Sequence, residues 1–387
     1  MTGPLVLLAL LTGLVGMYPF TLYIWSLRLL PPRPIRRGAE LSPDTPLTLC
    51  FCAYNEERVL PQKLANIRAL KQRYPGLRVL AYVDASTDRT LEILEAAGDL
   101  VETTAGAERH GKSYGMNLLV QRATSDLVLF TDANVMVDEA APGRITGYFA
   151  DPEVGCVCGY LVYVDSRTGA AKTNSLLWQI EERTKAAESA VGSVMGADGS
   201  LFAIRRALHR PVPPDIIDDM FLSFSILCDG YRIVSARDVL AHEESVASPA
   251  EEYRRKIRIA CQAFNVHRLI WPRLRKLGPV TVYKYLTHRF LRWMCPFALL
   301  LSGLLLVAAL MTVLPPLLVV LMVGAGSAAV AWLGTRDVWP FGLVWSVLLS
   351  LAGVGVGVLR SLWGERFQTW QPAASVRASG NPSRDRA

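Results

Sequence analysis

A carboxylate and a carboxamide stand two residues apart just past the apolar run Leu127 to Phe130: Asp132 and Asn134, in LVLFTDANVMVD. Strand side chains repeat with period two, so oxygens at these positions can point to one side. A pair of hard oxygens suits a hard cation, Mg2+ or Mn2+, bridging a diphosphate. Two other apolar runs end in polar tips: AYNEE, through Glu57, and VDASTDRT, from Val83 to Thr90. Helix capping accounts for many such side chains, and it covers Asp88 and Asp138. It covers Asp84 and Asp132 less well, because each ends an apolar run and another capping side chain stands nearer the following helix.

Residues so placed need a scaffold that gathers strand ends along one edge. From Leu47 the chain alternates. LTLCFCAY is β-branched and apolar. EERVLPQKLANIRALKQRY has helical spacing, with Val59, Leu60, Leu64, Ile67 and Leu70 on one face. RVLAYVD reads as a strand, DRTLEILEAAG as a helix closed by Gly98, DLVETT as a strand, GKSYGMNLLVQRA as a helix and DLVLFTDA as a strand. Such alternation predicts an α/β fold with a doubly wound, mostly parallel sheet covered by helices. In that fold ligands bind outside the carboxyl ends of the strands, so the three polar tips converge on one site.

The ends of the chain are of another kind. Residues 1–30 are almost uncharged, and three apolar runs follow Trp293: CPFALLLSGLLLVAALMTVL, PLLVVLMVGAGSAAVAWLG and FGLVWSVLLSLAGVGVGVL. Each approaches the roughly 20 residues that cross a hydrocarbon core. The first run has no basic flank before it and no clear small-residue cleavage site, so it reads as a retained span, not a signal peptide. Arg33, Arg36 and Arg37 follow it, which places the long middle in the cytoplasm and the N-terminus outside. Four spans then put the chain from Arg360 on outside, against the five arginines of RSLWGERFQTWQPAASVRASGNPSRDRA. The glycines of Phe341 to Leu359 mark that stretch as the one that re-enters or lies in the interface. Residues after Gln371 read as disordered.

Formal net charge is +7, and basic residues crowd Arg254 to Arg292 among Trp, Tyr and Phe. Next to apolar runs, this pattern fits amphipathic helices on anionic lipid and not nucleic acid. The seven cysteines include two Cys-x-Cys pairs but no zinc-type spacing, so they read as reduced core residues.

Taken in order, AYNEE, VDASTDRT, HGKSYGMN, VLFTDAN, DPEVGCVCG, GADGSLFAIRR, DDMFLSFSILCDGYRI and RRKIRI, then THRFLRWMCPF, resemble the membrane-embedded family 2 glycosyltransferases, which include polysaccharide synthases. The resemblance runs from about Leu47 to Pro296. It implies a GT-A fold (Rossmann-like, doubly wound) for residues 31–250 and an N-terminal transmembrane helix at 1–30. Basic interfacial helices would follow at 251–294, a transmembrane region at 295–360 and a tail at 361–387. It also implies inverting transfer from a nucleotide-diphosphate sugar, with a UDP-sugar expected, to a lipid-linked or glycan acceptor at the membrane.

By the same resemblance Tyr54, Glu56 and Asp84 line the nucleotide pocket, and Lys112 and Asn117 lie near the donor. Asp132 is the first aspartate of the family's Asp-x-Asp. Asn134 replaces the second, which implies a weaker divalent-cation site, with His242 as a candidate further ligand. Asp219 matches the catalytic base. A Pro-rich loop delivers it and Asp218 to the start of an apolar helix, where the helix dipole and mutual repulsion set their pKa values apart. Asp198, in a glycine-rich turn, is a candidate sugar or acceptor contact. The Gln-x-x-Arg-Trp of processive members is absent, since Gln262 is followed by Asn265 and Val266. That absence points to transfer of one or a few sugars. Together with Asn134, it also leaves open an inactive homologue serving as a scaffold subunit.

Overall fold

A computed structural model describes residues 2–40, 42–164, 176–244 and 249–369; the tail beyond Gln371 lies outside them. The chain opens with α1 (Thr2–Met17) and α2 (Leu22–Leu27). The alternating middle gives β1 (Leu47–Ala53), α3 (Leu60–Arg73), β2 (Leu77–Asp84), α4 (Thr90–Ala96), β3 (Glu102–Gly106), α5 (Lys112–Arg122) and β4 (Leu127–Thr131). Then come β5 (Val135–Val137), α6 (Ala141–Tyr148), β6 (Val154–Val164), α7 (Leu176–Ala190), β7 (Leu201–Arg205), α8 (Asp218–Cys228) and β8 (Arg232–Glu244). Helices α9 (Pro249–Leu274), α10 (Pro279–Tyr285), α11 (Leu291–Met311), α12 (Pro316–Thr335) and α13 (Phe341–Leu362) follow.

Internal contacts divide the chain into two bodies. The larger comprises Leu30–Glu251, Asn265–Leu277 and the chain from Arg366 on; the smaller comprises the residues up to Leu29, Glu252–Phe264 and Gly278–Glu365. The larger is built on an eight-stranded sheet in the order β3-β2-β1-β4-β7-β6-β8-β5. Strands β1 to β4 pair parallel, as the alternation predicts. The second half is mixed: β7 runs antiparallel between β4 and β6, and β5 antiparallel beside β8. Every residue of β1 is buried, as expected of a central strand covered on both faces. Because β2 and β3 lie on one side of β1 and β4 on the other, the ends of β1 and β4 flank the crevice where the strand order reverses.

The smaller body is helical. Four helices, Thr2–Phe20, Pro279–Met311, Pro316–Thr335 and Phe341–Leu362, are long and apolar enough to cross a membrane among the described residues. Two expectations change here. The first C-terminal apolar helix begins before Cys295, because α10 runs through a π-helical turn (Leu286–Phe290) straight into α11. The stretch from Phe341 is one unbroken 22-residue helix, which argues against re-entry and leaves an interfacial position as it stood. Its glycines serve close packing: a Cβ on Gly357 would lie 2.5 Å from the carbonyl oxygen of Ile257 and 2.7 Å from Ala260 Cβ, the approach small residues permit between apolar helices. All seven cysteines are free, and six are buried.

Candidate active site

Helix α5 carries Lys112 at its first residue and must lie close on the sheet to deliver it. Gly115 makes that possible, since a Cβ there would collide with the Tyr82 ring and come within 2.8 Å of Cys52 Sγ. Lys112 Nζ then reaches past the end of β4 to Asp132 Oδ1 at 2.7 Å and lies 3.6 Å from Asp218 Oδ2. Asp218 and Asp219 form the first turn of α8. The loop before them is tied to α5 twice: Ser113 Oγ donates to the Ile216 carbonyl at 2.6 Å, and Asn117 makes reciprocal bonds of 2.8 and 2.9 Å with the Val212 backbone. Asn117 is thus spent on placing the loop, with both ends of its amide engaged.

Across from this cluster, Gly199 presents bare backbone. A Cβ there would stand 3.0 Å from Asp219 Oδ2 and 3.2 Å from Lys112 Nζ. One ammonium therefore serves Asp132, Asp218 and Asp219 together. Burial works against its charge, yet the three carboxylates hold the Lys112 pKa above the ordinary lysine value. Asp219 accepts from its neighbour Met220 N at 2.5 Å. Burial first, and Asp218 second, push its carboxyl up to about 7, with Lys112 opposing. That places it near the value suited to a proton acceptor at neutral pH.

The tips of β1 and β2 lock together. Asn55 and Ala85 both adopt positive φ, 52° and 50°, and Asn55 Oδ1 accepts from Thr87 N at 2.8 Å. Glu56 N donates to Thr90 Oγ1 at 2.7 Å and Glu57 N to Asp88 Oδ2 at 3.1 Å. Asp84 is fully buried. Its Oδ1 accepts from His110 N at 2.7 Å and Gly111 N at 3.1 Å. Arg109 Nε lies 3.5 Å from Asp84 Oδ2, and the Arg109 guanidinium covers the Tyr54 ring at 3.5 Å. Asp84 thus shapes the loop 109–111 and does not face the crevice as a free carboxylate.

The expected metal ligands are not gathered. Asn134 donates its amide to Glu243 Oε1 at 2.9 Å. His242 precedes Glu243 in β8, so alternation turns it to the opposite face. Among the described residues no three His, Cys, Asp or Glu side chains group in a way that could hold a metal ion. Asp198 is engaged at both oxygens, by Lys185 Nζ at 2.6 Å and Ser200 Oγ at 2.7 Å. Glu56 is buried in the turn that precedes α3.

Sequence reasoning missed several contributors. Lys63 is fully buried, and its Nζ donates to the Asp132 carbonyl at 3.1 Å and the Val135 carbonyl at 2.5 Å, holding the turn after β4. Burial lowers its pKa to about 7. The signal was present, for Lys63 interrupts the stripe Leu60, Ile67, Leu70 at helical spacing. Lys185, pinned between Glu182 (2.7 Å) and Asp198, had no such signal. Neither did the segment after α13, where Arg366 pairs with Asp215 and Gln368 Nε2 donates to the His110 carbonyl at 3.4 Å. Arg366, Asp215, Ile216, Arg268 and Leu269 line a cleft of about 330 Å³ beside the loop leading to Asp218.

Residues 48–212 match the family model described as glycosyl transferase family 2. Over 137 residues the chain is 29% identical to a poly-beta-1,6-N-acetyl-D-glucosamine synthase of Staphylococcus aureus, covering 33% of this chain and 32% of that protein. The match thus spans about a third of that relative's length. An N-acetylglucosaminyltransferase of Rhizobium meliloti is 26% identical over 301 residues, 70% of each protein. In fold the chain is similar to a mannosyltransferase of Pyrobaculum calidifontis, solved in complex with GDP-Man and Mn2+, with a TM-score of 0.71 and 22% identity over 93% of this chain and 99% of that one. Residues 48–212, which hold Lys112 and Asp132, are thus a glycosyl transferase family 2 domain, the paired carboxylates of α8 follow just beyond the matched residues, and the fold around them is that of a GT-A glycosyltransferase.

Proposed function

We propose that this glycosyltransferase moves a sugar, with inversion, from a UDP-sugar to a lipid-linked or polysaccharide acceptor at the cytoplasmic face of the cell membrane, in exopolysaccharide or glycolipid synthesis. One observation carries the reading: Asp219, with a carboxyl pushed up to about 7, stands within a side chain's reach of Lys112 and of the strand end at Asp132. In the transfer, the Asp219 carboxylate takes the proton of the acceptor hydroxyl. The acceptor oxygen bonds to the anomeric carbon from the face opposite the diphosphate. The bond from that carbon to the diphosphate oxygen breaks, and its electron pair leaves with the nucleoside diphosphate.

The remaining residues bind and orient. Arg109 and Tyr54 form a stacked platform at the crevice for the nucleotide, and Asp84 positions them through the loop it holds. Lys112 meets the diphosphate. A divalent cation would be held by Asp132 together with substrate phosphates, since one carboxylate plus phosphates suffices for such an ion, and Asp218 Oδ2, 3.6 Å from Lys112 Nζ, is buried with no hydrogen-bond donor among the described residues. When bound it would neutralise charge building on the departing oxygen. The 330 Å³ cleft, with two arginines and Leu269, suits the acceptor's head group. The four apolar helices and the polysaccharide-forming S. aureus relative support the membrane and acceptor parts of this reading.

Full-length protein in detergent or nanodiscs, given labelled UDP-sugars, Mn2+ and extracted lipids, should form a labelled product whose anomeric configuration is inverted. Unchanged turnover in Asp219→Asn would remove this mechanism.

A further inference from the structure

The proposed site already contains a cation, the Lys112 ammonium. Its Nζ lies 2.7 Å from Asp132 Oδ1 and 3.6 Å from Asp218 Oδ2, and a Cβ on Gly199 would stand 3.2 Å from it and 3.0 Å from Asp219 Oδ2. Asp218 Oδ2 has no hydrogen-bond donor among the described residues, and its residue is 2% exposed, so the ammonium is the positive charge this oxygen faces. A divalent ion on Asp132 has to come within roughly 2.0–2.6 Å of a carboxylate oxygen. Lys112 occupies that approach to Oδ1. Asn134 and His242 supply no alternative, being turned to Glu243 and to the other face of β8.

We infer that Lys112 is the resident counter-ion of this carboxylate cluster and competes with the divalent cation for Asp132, so that cation and donor diphosphate bind as a pair. The inference rests on the reading of this site as the donor site. The chemistry of exchange is simple. An ammonium carries three donors and no acceptor, and a diphosphate offers more oxygens of higher charge than one carboxylate. The entering nucleotide draws Lys112 away from Asp132, and the vacated oxygen takes the metal. Without nucleotide, the ion must displace a charged hydrogen bond to enter.

Mn2+ binding to the full-length protein, followed by the electron paramagnetic resonance signal of free Mn2+, tests this without any turnover. Wild type should bind Mn2+ weakly alone and at least tenfold more tightly with UDP. Lys112→Met should bind Mn2+ alone at least tenfold more tightly than wild type, and the gain should vanish in the double variant with Asp132→Asn. Lys112→Gln, which keeps a hydrogen-bond donor but no charge, should show the same gain and serves if the methionine variant does not fold. Lys112→Arg should behave as wild type. If wild type with UDP binds Mn2+ but the uncharged variants bind it alone no better than wild type, the inference fails while the donor site stands. A gain that survives Asp132→Asn also overturns it. If no form binds Mn2+ even with UDP, both the inference and the cation at Asp132 fall.

Discussion

Asp84 closes β2 and Asp132 directly follows β4 in the parallel half of one sheet, yet they are held in opposite ways. Asp84 is enclosed, its oxygens committed to two backbone amides and an arginine. Asp132 is partly exposed and leans on one flexible side chain, Lys112. Backbone amides cannot leave, so the first carboxylate builds the wall of the crevice. A lysine can swing, so the second can change partners during a reaction. Identical residue types at the carboxyl ends of two strands thus divide into architecture and chemistry, according to whether their counter-charge is fixed.

The largest effect that could break this division lies at the chemical end. Asp219→Asn should lower turnover by about 10²–10⁴-fold, the range of a general base, with little change in melting temperature; initial rates and thermal melts read both. At the architectural end, Asp84→Asn should do the reverse. It replaces a charged acceptor with one that presents N–H groups to amide donors, at about 1.5–3 kcal/mol for bonds of this kind, so the melt should fall. Asp132→Asn should instead abolish the dependence of rate on Mn2+ and leave the melt almost unmoved. A large stability loss in Asp132→Asn would erase the distinction.

The pH dependence sharpens it further. Asp219 works as a carboxylate, and its pKa stands at about 7 in the folded protein, so kcat/KM should rise with pH and level off above that value. Its contribution to stability has the opposite sign. With the folded pKa above the unfolded one, the native state binds more protons between about 4 and 7, and stability falls as pH rises through that window. Asp219→Asn should remove both slopes. The smallest effect expected is that of Asn117→Ala, about 1 kcal/mol from two neutral hydrogen bonds to a backbone that can partly reach water, with a modest rise in KM as the 212–217 loop loosens.

Much of this scaffold was legible in the sequence because periodicity reports burial. The runs at Leu47, Leu77 and Leu127 became parallel strands, and the polar tips fell on one edge. Legibility ended at partner choice. Asn134 and His242 go together on residue type, but pairing of β5 with β8 puts Glu243 opposite Val135 and within reach of the Asn134 amide, and register is a long-range property. Asn117 was read as a donor contact and turned out to clamp Val212. Asp198, a candidate sugar or acceptor contact by sequence, is met by Lys185 of α7 from 13 residues away. Lys63 could have been found from its place in an apolar stripe. No local pattern marks Gln368.

That last residue has a temporal consequence. Gln368 rests on His110 and Gly111, and Arg366 on Asp215, so the crevice borders on chain that is made late. Synthesis runs from the N-terminus, and every strand, the helix bearing Asp219 and all four apolar helices emerge from the ribosome before Arg366 does. A nascent polypeptide can therefore be inserted and largely folded while one edge of its pocket is still being translated, and the finished contour arrives only with residues 366–368.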